Sequence, residues 1–183
     1  METPGPHPDE RERLEALAAC KLGAEFPVAV LSVATRIISR VFEMPIAAIG
    51  IVAERRVSYR CVMGQGLTEN ARENSFCAHA ILGTDVFIVE DALKDLRFEG
   101  HPLVTGGPHV RFYAGVPIRS VTGLPIATVF VMDRKPRAFS DADRVLLRDF
   151  GALVEKSLVQ QESFAATRRG RVDVDANLTK SMA

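Results

Sequence analysis

The chain of 183 residues has no tryptophan, two tyrosines and three cysteines, and its 23 basic and 23 acidic residues cancel. Each shortage excludes something. Cys20, Cys61 and Cys77 are too few and too scattered for a disulfide framework or a four-thiolate zinc site, and they suit a reducing compartment. Without tryptophan and with so little tyrosine there is no stacking platform for single-stranded nucleic acid. Balanced charge removes the basic excess that proteins gripping phosphates carry. The longest apolar run, Pro45 to Ala53, falls far short of the roughly 18–20 residues that cross a bilayer. The opening METPGPHPDERERLE lacks the basic-then-apolar layout of a secretory signal. The expectation is a soluble cytoplasmic protein that engages neither nucleic acid nor membrane. What is present is an ordinary globular mix, 47% hydrophobic and 25% charged, long enough to bury one sizeable core.

Residues 1–8 hold three prolines and are expected to be disordered or extended. Asp9 opens a helix to Leu22 with Leu14, Leu17 and Ala18 at helical spacing and Gly23 as the stop. A second helix starts near Pro27 and presents Val28, Leu31, Ile38 and Phe42. Residues 46–53, IAAIGIVA, are apolar on both faces and predict a central strand. Residues 56–63 alternate, with Val57, Tyr59, Cys61 and Met63 on one side, and the short link through Glu54 and Arg55 makes an antiparallel hairpin. Ser75 caps a short helix over 78–82. A strand follows at 86–89, then a helical turn within 92–98. The glycine- and proline-rich stretch 100–108 is a loop. Strands at 112–118 and 126–132 form a second hairpin, with Pro117 demanding a bulge or a free N–H edge. Ser140 and Asp143 start a last helix that runs to about Phe164. The folded unit is therefore 9–164, followed by a mobile tail over 165–183.

This order gives an α+β fold: a mostly antiparallel sheet of about five to six strands, terminal helices on one face, and short helices with a long loop on the other. Four segments then carry a resemblance: SFCAHAI at 75–81, FIVEDALKDLRF at 87–98, HPLVTGGPHVRFYAGVPI at 101–118 and VMDRKPRAFS at 131–140. In this order they resemble the GAF domains of bacterial signalling proteins, over roughly residues 24–160. The resemblance implies a PAS-related sheet, a ligand pocket between the sheet and its overlying segment, and terminal helices that dimerise and pass on the state of the pocket. It implies a non-catalytic small-molecule sensor or regulator, with an unknown effector, a downstream signalling protein or an absent output domain as partner, and no cofactor.

The candidate ligand-binding residues are Phe76, Cys77, His79, Asp91, Arg97, Phe98, Arg111, Tyr113 and Asp133. Arg97 and Arg111 have the planar forks that grip carboxylate or phosphate. The plainer reading is that they pair with Asp91 and Asp133 and pin the long loop to the sheet. Phe98 and Tyr113 would wall the pocket, and Cys77 with His79 would floor it. Cys77 admits a competing enzyme, a thiol-based reductase similar to the free methionine sulfoxide reductases, although no further cysteine lies in 84–118. A third reading is a dimerisation module with a vestigial, filled pocket. Cys77 with His79, His101 and His109 does not have a usual zinc spacing. Leu147, Val154 and Gln161 recur at seven-residue steps and, with Leu14 and Leu17, suggest a dimer seam.

Overall fold

The computed structural model describes residues 2–20, 28–65, 67 and 69–158. The elements are α1 (Glu10–Ala19), α2 (Val28–Val41), β1 (Ile46–Val52), β2 (Arg56–Met63), β3 (Asn70–Ala71), a 3-10 turn (Arg72–Asn74), α3 (Phe76–Ala80), β4 (Phe87–Val89), α4 (Pro102–Thr105), β5 (Phe112–Arg119) and β6 (Pro125–Asp133). A fifth helix, α5, runs from 141 to the last described residue, 158. The features expected at Leu22, Gly23, Pro27, Gln161 and Phe164, and the 165–183 tail, lie outside the described residues.

The strands form one antiparallel six-stranded sheet in the order β3-β2-β1-β6-β5-β4. Its central strands are buried along their whole length, because both faces are covered. Ala47, Ile49, Ile51, Ala114, Val116, Val129 and Val131 join the near-face core with α1, α2 and α5. Ile46, Ala48, Tyr113, Phe130 and Met132 join the far-face core under α3 and α4.

Local chemistry explains most boundaries. Ser75 Oγ accepts the Cys77 N–H at 3.2 Å and starts α3. Ser140 and Asp143 cap α5 reciprocally, Ser140 N–H donating to Asp143 Oδ2 at 2.9 Å and Asp143 N–H to Ser140 Oγ at 3.2 Å. Pro117 sits beyond Gly115, the last β5 residue that β4 reaches, so its missing N–H falls on a side with no neighbour strand.

Three expectations are corrected. The β2 alternation breaks because residues 61 and 62 lie opposite the single residue 48, a bulge at which Cys61 adopts φ 53°. Val57 and Tyr59 therefore face the far core, while Cys61 and Met63 pack on the near one. The 100–108 loop contains a helical turn, α4, which Pro102 opens and His101 caps by accepting the Leu103 N–H on Nδ1 at 3.0 Å. The helical turn expected within 92–98 starts at Asp95, whose carbonyl accepts the Phe98 and Glu99 N–H groups at 2.8 and 2.9 Å, and it follows on two successive Asx turns in which Asp91 and Asp95 each accept an N–H two residues on. The seam residues Leu147 and Val154 are fully buried against the sheet. Residues 2–8 run without regular structure, yet they are tied down: Glu2 N–H donates to the Arg97 carbonyl, and His79 Nε2 bonds the Glu2 carbonyl.

Leu147→Ala should lower unfolding stability in urea by about 2–5 kcal/mol and leave the oligomeric state unchanged. An altered sedimentation coefficient with unaltered stability would return Leu147 to a subunit seam.

Candidate functional site

The far face owes its shape to two glycines on the sheet. A Cβ at Gly50 would stand 2.8 Å from Cys77 Sγ, and one at Gly115 would run into the Tyr113 ring. Because neither exists, the Cys77 thiol and the Tyr113 ring lie directly on the strands. Above them the rings stack. Phe98 lies on Phe76 at 4.2 Å and 16°, Phe76 on Tyr113 at 5.1 Å and 15°, and Tyr113 on Phe130 at 5.4 Å and 25°. Tyr59 closes one end edge-on to Phe130. His101 tilts against Phe76 at 4.8 Å, and His79 meets Phe98 edge-on at 4.9 Å. Among the described residues, the space expected to hold a ligand is filled by this stack, whose Phe76, Phe98, Tyr113 and Phe130 are at most 1% exposed.

The polar atoms in the stack are few. Tyr113 Oη donates to Cys77 Sγ at 3.7 Å. Burial pushes the Cys77 thiol up, and hydrogen bonds from Thr128, Tyr113 and Ser75 offset only part of that. Burial likewise pushes the Tyr113 hydroxyl well up and the His79 imidazole down. His101 Nδ1 is an acceptor, so Nε2 carries the proton; it faces the Asn74 backbone outside hydrogen-bond geometry. Thr128 Oγ1, beside Cys77, is also buried without a well-formed partner. Burial of this kind disfavours the thiolate, the form in which a cysteine attacks. Cys20 and Cys61 lie on the opposite side of the sheet, with the near-face core.

The expected charges do not meet as a cluster. Arg97 forks onto Asp95, Nε to Oδ1 at 2.9 Å and Nη2 to Oδ2 at 2.6 Å, and its guanidinium lies over Phe87 and Phe98. Asp133 is held by Arg137, its Nε to Oδ2 at 2.7 Å, and Asp91 by Lys94 at 3.5 Å. Neither expected partnership, Arg97 or Arg111 with Asp91 or Asp133, is formed by side chains. Arg111 donates to the Val104 and Val110 carbonyls at 3.0 and 2.9 Å, and among the described residues no carboxylate pairs with it. Asp91 and Arg97 line an open groove of about 910 Å³ beside β4, with Glu90, Leu96 and Arg137. The structure thus brings Phe76, Cys77, Phe98 and Tyr113 together, sets His79 at their margin, and disperses Asp91, Arg97, Arg111 and Asp133 around the rim. Among the described residues, no three of His, Cys, Asp and Glu are grouped to hold a metal ion, and no helix is long and apolar enough to cross a membrane.

Sequence reasoning missed a buried ionic group at one end of the sheet. Arg13 is fully buried and bonds Glu10 twice, at 3.0 and 2.7 Å, and the Val52 carbonyl at 2.7 Å. Arg72 bonds the same carboxylate. Burial alone would raise the Glu10 carboxyl, but the bonds from Arg13, Arg72 and the His7 N–H outweigh it and hold the group far below the usual range. The available signal was negative: α1 is too poor in apolar residues to dock by them alone.

Two outcomes test this geometry. Cys77 should react with iodoacetamide at pH 8 at least roughly a hundredfold more slowly than Cys61 in the folded protein, and at a similar rate in urea. Arg97 holds the Asp95 carboxyl below its ordinary value. A depressed carboxyl stabilises fully above its unfolded value and ceases to as pH falls through the folded one. Stability should therefore drop from about pH 5 towards pH 2, and less steeply in Arg97→Met, as read by urea midpoints.

Comparison with known proteins follows the same lines. The family model described as GAF domain matches residues 27–158. A cyclic di-GMP phosphodiesterase of Pseudomonas aeruginosa is 42% identical over 114 residues, which are 62% of this chain and 19% of that protein. The chain thus spans about a fifth of that relative. Among solved structures, the type II free methionine-R-sulfoxide reductase of Thermoplasma acidophilum superposes with TM-score 0.62 at 18% identity, over 73% of this chain and 93% of that one. The GAF domain of an Acinetobacter phosphoenolpyruvate-protein phosphotransferase does so with TM-score 0.62 at 13% identity, over 85% and 98%. At these identities the structural likenesses carry the fold alone, and they agree with the family match that covers most of the described chain: the protein belongs to the GAF domain family.

Proposed function

We propose that this chain is a cytoplasmic, non-catalytic GAF domain that regulates signal transduction, of the kind built into larger bacterial signalling proteins such as the phosphodiesterase it resembles. The observation that carries the reading is the state of the far face. Its thiol is buried beneath stacked rings and disfavoured as a thiolate, and the other two cysteines lie across the sheet. A reductase cycle needs an accessible thiolate and a second thiol within reach, and the described residues supply neither. The same stack supports a regulatory role: an effector that displaces Phe98 or Phe76 would shift the population towards a rearranged 100–111 segment. An anionic effector would find Arg111, which has no carboxylate partner among the described residues.

The filled far face also favours the second reading, a dimerisation module with a vestigial pocket. In either case the self-association surface is α2. Val30, Val33, Ile37 and Val41 are 57%, 43%, 42% and 51% exposed and recur at helical spacing, an apolar stripe that suits a second copy of the chain.

Free methionine-R-sulfoxide, with dithiothreitol as reductant, should not be reduced above background by the wild type or by Cys77→Ser; turnover lost in Cys77→Ser would establish the reductase instead. Native mass spectrometry should show a dimer that Ile37→Glu converts to monomer, and a mass that leaves on denaturation would separate the sensor from the module with a filled pocket.

A further inference from the structure

We propose that the Glu10 carboxylate is a mechanical link between α1 and the segment 70–77, beside the tie that residues 2–8 make to Arg97 and His79, so that a rearrangement of the aromatic stack is transmitted to α1 through Arg72. This does not depend on any particular effector.

α1 is held by few apolar contacts. Its buried apolar side chains are small, Ala16 within the helix and Cys20 just past it, and Leu14 and Leu17 are only partly covered. Such a face supplies little hydrophobic stabilisation. What fixes the helix is ionic. Arg13 reaches into the end of the sheet, where Nη1 donates to the Val52 carbonyl at 2.7 Å, and Glu10 neutralises it. One carboxylate then serves two guanidiniums, because Arg72 Nη2 donates to Glu10 Oε2 at 3.0 Å and Arg72 Nη1 to Oε1.

Arg72 belongs to the other face of the molecule. It opens the 3-10 turn that leads into α3, and its backbone N–H is fixed to the Arg55 carbonyl at 2.9 Å. Three residues later Ser75 caps α3, and the next two are Phe76 and Cys77, the middle ring and the thiol of the stack. No glycine lies between Arg72 and Phe76 to absorb a displacement. A shift of Phe76 therefore moves Arg72 or strains the turn. If Arg72 withdraws, Glu10 loses one of its two guanidiniums while Arg13 stays buried. Buried charges tolerate partial pairing poorly, so the arrangement favours two discrete states over a graded response.

The test is hydrogen–deuterium exchange on the full chain in four forms: wild type, Phe76→Leu, Arg72→Met and the double variant. Phe76→Leu should speed exchange of the α1 amides by about tenfold in the wild-type background, an ordinary size for coupling between sites. With Arg72→Met already present, the same substitution should change them by less than about twofold, the mark of a broken coupling. Arg56→Met, which removes the exposed pair with Glu69 at the same end of the sheet, should leave the coupling intact. Unchanged α1 exchange in Phe76→Leu, or an equal change in both backgrounds, would overturn the proposal. Should Phe76→Leu fail to fold, Phe98→Leu, which removes the ring lying 4.2 Å from Phe76, is read in the same way.

Discussion

A sheet covered on both faces has no wet side. That constraint governs the rest of this molecule. β1, β5 and β6 cannot alternate apolar with charged residues, and they carry alanine, glycine, valine, isoleucine and phenylalanine on both sides. The near face is covered by long helices and needs only apolar side chains. The far face is covered by short segments, α3, two Asx turns and α4, which cannot present a broad apolar stripe. Aromatic rings supply the missing area instead, since one ring buries as much surface as several aliphatic groups. The two sheet glycines are the other half of that solution, because they lower the floor on which the rings rest.

The same constraint decides the chemistry. A thiol placed directly on the sheet beside the ring stack is desolvated, and desolvation disfavours the thiolate by more than the donors around it restore. The Tyr113 hydroxyl donates to the thiol, while Thr128 Oγ1 and His101 Nε2 are left without well-formed partners. In a well-packed core such groups are costly.

Much of this was legible in the sequence because it is local. Strand β1, both hairpins, the Ser75 cap and the Ser140–Asp143 box each depend on residues within a few positions of one another. The α+β class and the family resemblance followed from their order. What failed to show was set by tertiary context. The bulge at Cys61 turns half of β2 over, and nothing in an unbroken alternation from Val57 to Met63 announces it. Leu147 and Val154 keep a heptad spacing that suits a seam and a sheet-covering face equally, and the sheet claimed them. At the site, the aromatic and thiol candidates did converge, because the far-face segments must supply rings. The rim charges did not, since Arg97 found a nearer carboxylate in Asp95 than in Asp91 or Asp133.

The stretch ERERLE carries one apolar residue, and nothing in it points to a fully buried Arg13. Burial is possible because Arg13 meets the Glu10 carboxylate on its own helix and the carbonyls of Val52 and Pro125 at the end of the sheet. An apolar helix could have docked there by area alone, but area contacts slide and yield by degrees. Charge networks at a desolvated seam are either complete or costly. The position of this one is as telling as its chemistry. It stands at the sheet's end, where the near-face helix and the far-face segment reach the same carboxylate without a strand between them. In a domain whose two cores are separated by a continuous sheet, such a junction allows one face to respond to the other without deforming the sheet.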